Sequence, residues 1–105
     1  MPFTDQFLAQ EPARAEVDAL PGLVLLEFGA PWCPHCQRVQ ASLQTALATR
    51  PDVRHIKVED GSGLPLGRSF RIKLWPTLVL MRDGHEIARA MRPTTVAEVD
   101  QVLKS

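Results

Sequence analysis

Two cysteines three positions apart, Cys33 and Cys36, stand where an apolar run meets an amphipathic one, and no other feature of the chain limits its fold so tightly. Upstream, Leu23–Gly29 is almost continuously apolar, as a strand covered on both faces should be. Downstream, Pro34 to about Thr49 carries Val39, Leu43 and Leu47 on one stripe, the spacing of a helix with one buried side. Cysteines at i and i+3 share a face of a helical turn. Their Cα atoms then lie roughly 5–6 Å apart, inside the window for an unstrained disulfide. Such a pair can open and close with little backbone movement.

The rest of the chain reads as partners for that junction. Thr4 to about Leu20 is expected to be helical in pieces, interrupted near Pro12. Val53–Glu59 reads as a second strand, and Leu66–Phe70 as a short helix after a Gly/Ser/Pro loop. Thr77–Met81 and Glu86–Met91 read as strands around Arg82-Asp83-Gly84-His85, where Asp-Gly is a strong hairpin signal. Thr95 to Leu103 is the last helix, with Thr95 and Glu98 at capping-box spacing. The order helix, β, α, β, α, β, β, α implies a right-handed β-α-β crossover followed by an antiparallel hairpin. The expected class is α/β: a small mixed β-sheet with helices on both faces. The 105 residues are expected to form one domain over 1–105.

Charge and composition narrow the function. Twelve basic residues balance twelve acidic ones, and the formal net charge is +0. That removes the electrostatic case for non-specific nucleic-acid or membrane binding. Aromatics are only 6%, with no Tyr, so a base-stacking surface is not expected. Two cysteines are far too few for a disulfide-dense secreted scaffold. The apolar run Leu23–Leu26 closes at Glu27, far short of a bilayer span. The first twenty positions show no basic stretch leading into an apolar one, so the expected location is cytoplasmic, or periplasmic if a leader was trimmed.

Position predicts different roles for the two thiols. Cys33 is expected at the helix N-terminus, where unsatisfied N–H groups and the positive end of the dipole favour an anion. Pro34 suits the first helical position, since its missing N–H is not needed there. The thiolate is the attacking species in exchange, so a lowered pKa would activate Cys33 as nucleophile. Cys36, one turn further in, would be less exposed and would resolve the mixed disulfide by attacking the Cys33 sulfur. His35 between them can donate a hydrogen bond or a charge to the thiolate, which favours the reduced form and a more oxidising disulfide.

Other uses of the pair are open to comparison. A closed zinc site wants four protein ligands, and only His35, His55 and His85 could join the thiols, none at finger spacing. Haem attachment wants His directly after the second Cys, but Gln37 follows Cys36. Two reduced core cysteines remain a structural alternative, though Pro-flanked positions at a strand–helix junction are poorly placed for simple filling.

The residues Glu27-Phe28-Gly29-Ala30-Pro31-Trp32-Cys33-Pro34-His35-Cys36, and Trp75-Pro76-Thr77 ahead of the strand Leu78–Met81, resemble the thioredoxin family from about Pro21 to the C-terminus. The resemblance implies a thioredoxin-like fold in which Pro76 is cis and packs against the cysteines. It implies that Trp75 turns its backbone toward a substrate bound as a short extra strand. Trp32 and Trp75, with Pro76 and Arg92, are the implied substrate-binding residues. Glu27 stands where the family places a buried acid, and Lys57 where it places a basic partner. A buried carboxyl holds its proton to higher pH, which suits a general base for Cys36 acting through water.

The chain also departs from the family pattern. Pro-His replaces the usual Gly-Pro between the cysteines and resembles the dipeptide of more oxidising, DsbA-type relatives. Gly29 stands where an aromatic is usual, Arg92-Pro93 where Gly-Ala is usual, and Trp75 is bulkier than the usual residue before the proline.

The leading expectation is a protein-disulfide oxidoreductase without cofactor or metal. Its substrates would be proteins bearing disulfides or dithiols, with thioredoxin reductase, glutathione or a dedicated partner as compatible reductants. Two alternatives differ in kind. One is a partner-binding module with little redox turnover. The other is a metal or iron–sulfur site shared across a dimer.

Overall fold

The computed structural model describes residues 3–105. The helices are α1 (Arg14–Asp18), α2 (Pro34–Arg38), α3 (Gln40–Ala48), α4 (Pro65–Ser69) and α5 (Val96–Leu103). The strands are β1 (Leu23–Gly29), β2 (Val53–Glu59), β3 (Thr77–Arg82) and β4 (His85–Met91). They form one mixed sheet in the order β2-β1-β3-β4. β1 runs parallel to β2 and antiparallel to β3, and β3 and β4 form the hairpin.

Alternation along the strands divides the core into two layers. Leu25, Val53, Leu78 and Leu80 face α3 and α5, where Leu43, Leu47, Val99 and Leu103 complete one cluster. Val24, Leu26, Phe28, Ile56, Val79 and Met81 face the other way, onto Val17 of α1, Leu66 of α4 and Phe70. Each fully buried Leu or Phe contributes about 1.5–3 kcal/mol of burial, so both layers are needed for a chain this size. Glu27 pairs with Lys57, and Leu25 with His55, in the β1–β2 register. Both pairs therefore belong to the α3 side of the sheet.

The hairpin closes as its residues predict. Asp83 and Gly84 both have positive φ, 48° and 85°, the pairing that a two-residue turn of type I′ requires. Thr95 caps α5, its Oγ1 accepting the Glu98 N–H at 3.1 Å.

Two expectations are corrected. Of the stretch from Thr4 to Leu20, Arg14–Asp18 is helical but residues 4–13 are not. Phe7 instead makes a single parallel bridge to Lys57, and the Leu8 N–H donates to the Lys57 carbonyl at 3.0 Å. The outer edge of β2 carries unpaired backbone groups, and satisfying them outweighs a short helix that Pro12 would interrupt. The helix expected from Pro34 to about Thr49 is divided at Val39, which keeps near-helical angles of φ −83° and ψ −10°. The Gln40 side-chain amide donates to the Cys36 carbonyl at 2.7 Å, competing for the acceptor that an unbroken helix gives to the Gln40 backbone. Among the described residues no helix is long and apolar enough to cross a membrane.

Candidate active site

Cys33 caps α2 in an extended conformation, and its Sγ accepts the Cys36 N–H at 3.4 Å. Pro34 follows as the first helical residue, where no donor is missed. Cys36 lies one turn inside the helix. The two thiols are free, and both are buried, at 5% exposure for Cys33 and 2% for Cys36. The Cys36 pKa is pushed up to about 12, first by burial and next by its side-chain hydrogen bond to Cys33, with the nearby charge of Glu27 adding to the rise. β1 passes close behind this sulfur: a Cβ on Gly29 would strike Cys36 Sγ.

Two tryptophans flank the cysteines. Trp32 is 67% exposed and meets Trp75 edge to face, with ring centroids 5.5 Å apart. Trp75 packs on the cluster of Ala30, Cys33 and Cys36. Its indole N–H donates to Asp60 Oδ2 at 2.9 Å, and the Asp60 backbone N–H donates to the Gly29 carbonyl at 2.8 Å. Asp60 thus ties Trp75 to the end of β1, a role its sequence context did not signal. The Trp75–Pro76 peptide is cis and Pro76 is buried.

Arg92 sits in the left-handed region at φ 52°. Its Nε donates to the Trp75 carbonyl at 2.9 Å and its backbone N–H to the Pro76 carbonyl at 2.7 Å. The predicted substrate-facing residues are therefore assembled on one rim. His35 is half-buried on α2, and among the described residues its imidazole makes no hydrogen bond to Cys33 or to any other group.

Behind the thiols the predicted acid is fully buried. Glu27 is 0% exposed, and Lys57 lies 3.6 Å away from its Oε2. That is the expected pairing of the acid with its basic partner, and Gln40 bridges the two. The Gln40 amide nitrogen donates to Glu27 Oε2 at 2.8 Å, and its oxygen accepts from Lys57 Nζ at 2.7 Å. The shortest contact to Oε1 comes from His55 Nε2, at 2.8 Å. Sequence reasoning weighed His55 only as a metal ligand and did not single out Gln40. The signal available for His55 was its position two residues before Lys57 in an alternating strand, which puts both on one face. Among the described residues no group of three His, Cys, Asp or Glu side chains is placed to hold a metal.

What this arrangement can do is thiol exchange: a capped outer sulfur, a protonated inner sulfur within reach, and a buried carboxylate behind it. Comparison with known proteins agrees. The thioredoxin family model matches residues 6–105. A thioredoxin of Chlamydia trachomatis serovar D is 34% identical over 70 residues, covering 67% of this chain and 69% of that one. Protein disulfide-isomerase A3 of Gallus gallus is 37% identical over 86 residues, 80% of this chain but only 17% of that protein. Among solved structures, thioredoxin 2 from Pseudomonas aeruginosa PAO1 in its reduced form superposes with a TM-score of 0.86 at 46% identity. That match covers 97% of this chain and 94% of the other.

Proposed function

The chain belongs to the thioredoxin family and is a protein-disulfide oxidoreductase, and from that premise we propose that Cys33 is the attacking thiol and Cys36 the resolving one. In the reducing direction the Cys33 thiolate attacks a substrate disulfide. A Cys33–substrate disulfide forms, and the other substrate sulfur leaves as a thiolate. Cys36 then gives its proton, by way of a water molecule, to the Glu27 carboxylate and attacks Cys33 Sγ. The second substrate thiolate departs, and two electrons have passed from the protein to the substrate. The oxidising direction runs the same steps in reverse.

The observation that carries this division of roles is the position of Cys33 at the cap of α2, with Cys36 buried behind it at a pKa of about 12. A thiol so raised does not initiate exchange at neutral pH, and it needs a proton acceptor when its turn comes. Lys57 supplies the positive charge that keeps a buried Glu27 carboxylate tolerable. In this reading Trp32, Trp75, Pro76 and Arg92 form the rim against which a substrate segment is laid, and His35, between the two cysteines in the chain, stabilises charge developing at Cys33. Proteins with disulfides are the substrates. Thioredoxin reductase or glutathione returns the pair to the dithiol, which fits a reducing compartment such as the cytoplasm. Residues 1–105 act in this reading as a single redox domain.

The test is a trapping experiment. Cys36→Ser should accumulate protein substrates as mixed disulfides on Cys33, while Cys33→Ser captures none and loses insulin reduction entirely. Turnover of insulin by the wild type with no adduct on Cys36→Ser would mean that the roles are assigned the wrong way round.

A further inference from the structure

We propose that His55 is a positioning residue for proton transfer at Cys36, holding the Glu27 carboxylate ionised and fixed in orientation as an Nε2–H imidazole. The inference rests on the reading of Glu27 as proton acceptor given above, and goes beyond it to a residue on a different strand.

The tautomer follows from the hydrogen bonds. The Thr4 backbone N–H donates to His55 Nδ1 at 3.0 Å. A backbone N–H can only donate, so Nδ1 carries the lone pair, and a neutral ring then carries its hydrogen on Nε2. Nε2 lies 2.8 Å from Glu27 Oε1, so Oε1 accepts. The Gln40 amide is fixed by the same logic. Its nitrogen faces two acceptors, the Cys36 carbonyl at 2.7 Å and Glu27 Oε2 at 2.8 Å, and its oxygen faces the Lys57 ammonium at 2.7 Å. The opposite amide orientation would set oxygen against oxygen. Both Glu27 oxygens therefore face donors. Both oxygens accept hydrogen bonds from polar hydrogens, and hydrogen bonds of that kind favour the carboxylate over the acid.

The surroundings leave His55 no other task. Its side chain is fully buried against Glu27 of β1. On its own strand Lys57 lies two residues further on, on the same face, and the N-terminal segment covers His55 with Thr4 and with the Phe3 ring, centroids 5.5 Å apart. α2 and α3 bring Cys36 and Gln40 to Glu27, and β3 brings only Leu78 opposite it. Asp5 lines a cleft with Phe3, Phe7, Gln40 and Lys57 at the outer side of the network. A second proton on His55 would set Nδ1–H against the Thr4 N–H, so the covering segment holds the ring neutral. His55 is thus a fixed donor and not itself the base.

The step to measure is release of a chromogenic aryl thiol from a mixed disulfide on Cys33, in a single turnover, across pH. Cys36 forms the new bond to Cys33 Sγ, the aryl thiolate leaves, and the Cys36 proton goes to Glu27. Removing one hydrogen bond to an ionised group should move the acid-side inflection of His55→Leu upward by about one to two pH units. His55→Gln, whose amide can reach the place of Nε2, should restore the wild-type profile. Loss of the inflection in Glu27→Gln with no shift in a folded His55→Leu would overturn the role of His55 alone. An unchanged profile in Glu27→Gln would overturn the Glu27 reading and this inference with it. Ring nitrogen NMR on the unmodified protein decides the matter even if His55→Leu does not fold. A neutral ring protonated at Nε2 is expected, and a cation or an Nδ1–H tautomer at neutral pH would overturn the proposal.

Discussion

Cys36 keeps its proton far above neutrality because burial and the hydrogen bond to Cys33 both oppose the thiolate. This has a consequence for stability. The folded-state value of about 12 lies above the ordinary thiol value of 9.0, so between these pH values the folded reduced protein binds more protons than the unfolded chain. Stability must fall as pH rises through that window, by about 1.4 kcal/mol per pH unit. Urea unfolding under reducing conditions should show the fall in wild type, and a flatter slope in Cys36→Ser. Equal slopes would mean that Cys36 is not the group responsible. Gly29→Ala tests the same sulfur sterically. A Cβ that meets Cys36 Sγ should cost about 1–3 kcal/mol of overpacking, read as a lower urea midpoint of the reduced form.

At the scale of elements, the short helices depend on their ends. α5 is capped by Thr95, and the Glu98 carboxylate accepts from the Thr94 N–H at 3.2 Å and the Thr94 hydroxyl at 3.0 Å. Those bonds hold the Glu98 pKa below its usual value, so their contribution is present at neutral pH and lost on acidification through the lowered value. Thr95→Ala should cost about 1 kcal/mol, seen as a lower urea midpoint at unchanged slope. α4 offers a second test. A Cβ on Gly67 would meet the Asp60 carboxylate that holds the Trp75 indole. Gly67→Ala should therefore alter tryptophan fluorescence as well as stability, whereas a purely local cost in α4 would leave the emission unmoved.

The whole molecule is a four-stranded sheet whose β2 edge is covered by a segment with no regular structure of its own. That segment gives one hydrogen bond to His55 and one to the Lys57 carbonyl. Deleting the residues before Ala9 removes both, worth together about 1–3 kcal/mol, and should lower Tm by roughly 5–20 °C. Amide exchange should rise first along β2 and only later in β1, which stays paired on both sides. A truncated chain with full Tm and unchanged exchange would show the covering segment to be dispensable.

Much of this was legible along the chain, and the reason is that it is local. The capped cysteine, the proline after it, the Asp-Gly turn and the Thr95 cap each depend on a few consecutive residues whose backbone preferences are strong. The alternation of Leu25 and Glu27 against Leu26 and Phe28 likewise placed the acid on its face of the sheet. The surroundings of that acid were not legible. Gln40 and His55 meet Glu27, and Thr4 meets His55, only after a helix, a second strand and the N-terminal segment have packed together. Hydrogen bonds between residues so distant leave no periodic trace in the sequence. The same holds for the covering segment, whose own residues read as helix while the open edge of β2 drew it into an extended bridge. Short-range chemistry located the sulfur pair, and three-dimensional packing chose the groups that set its protons.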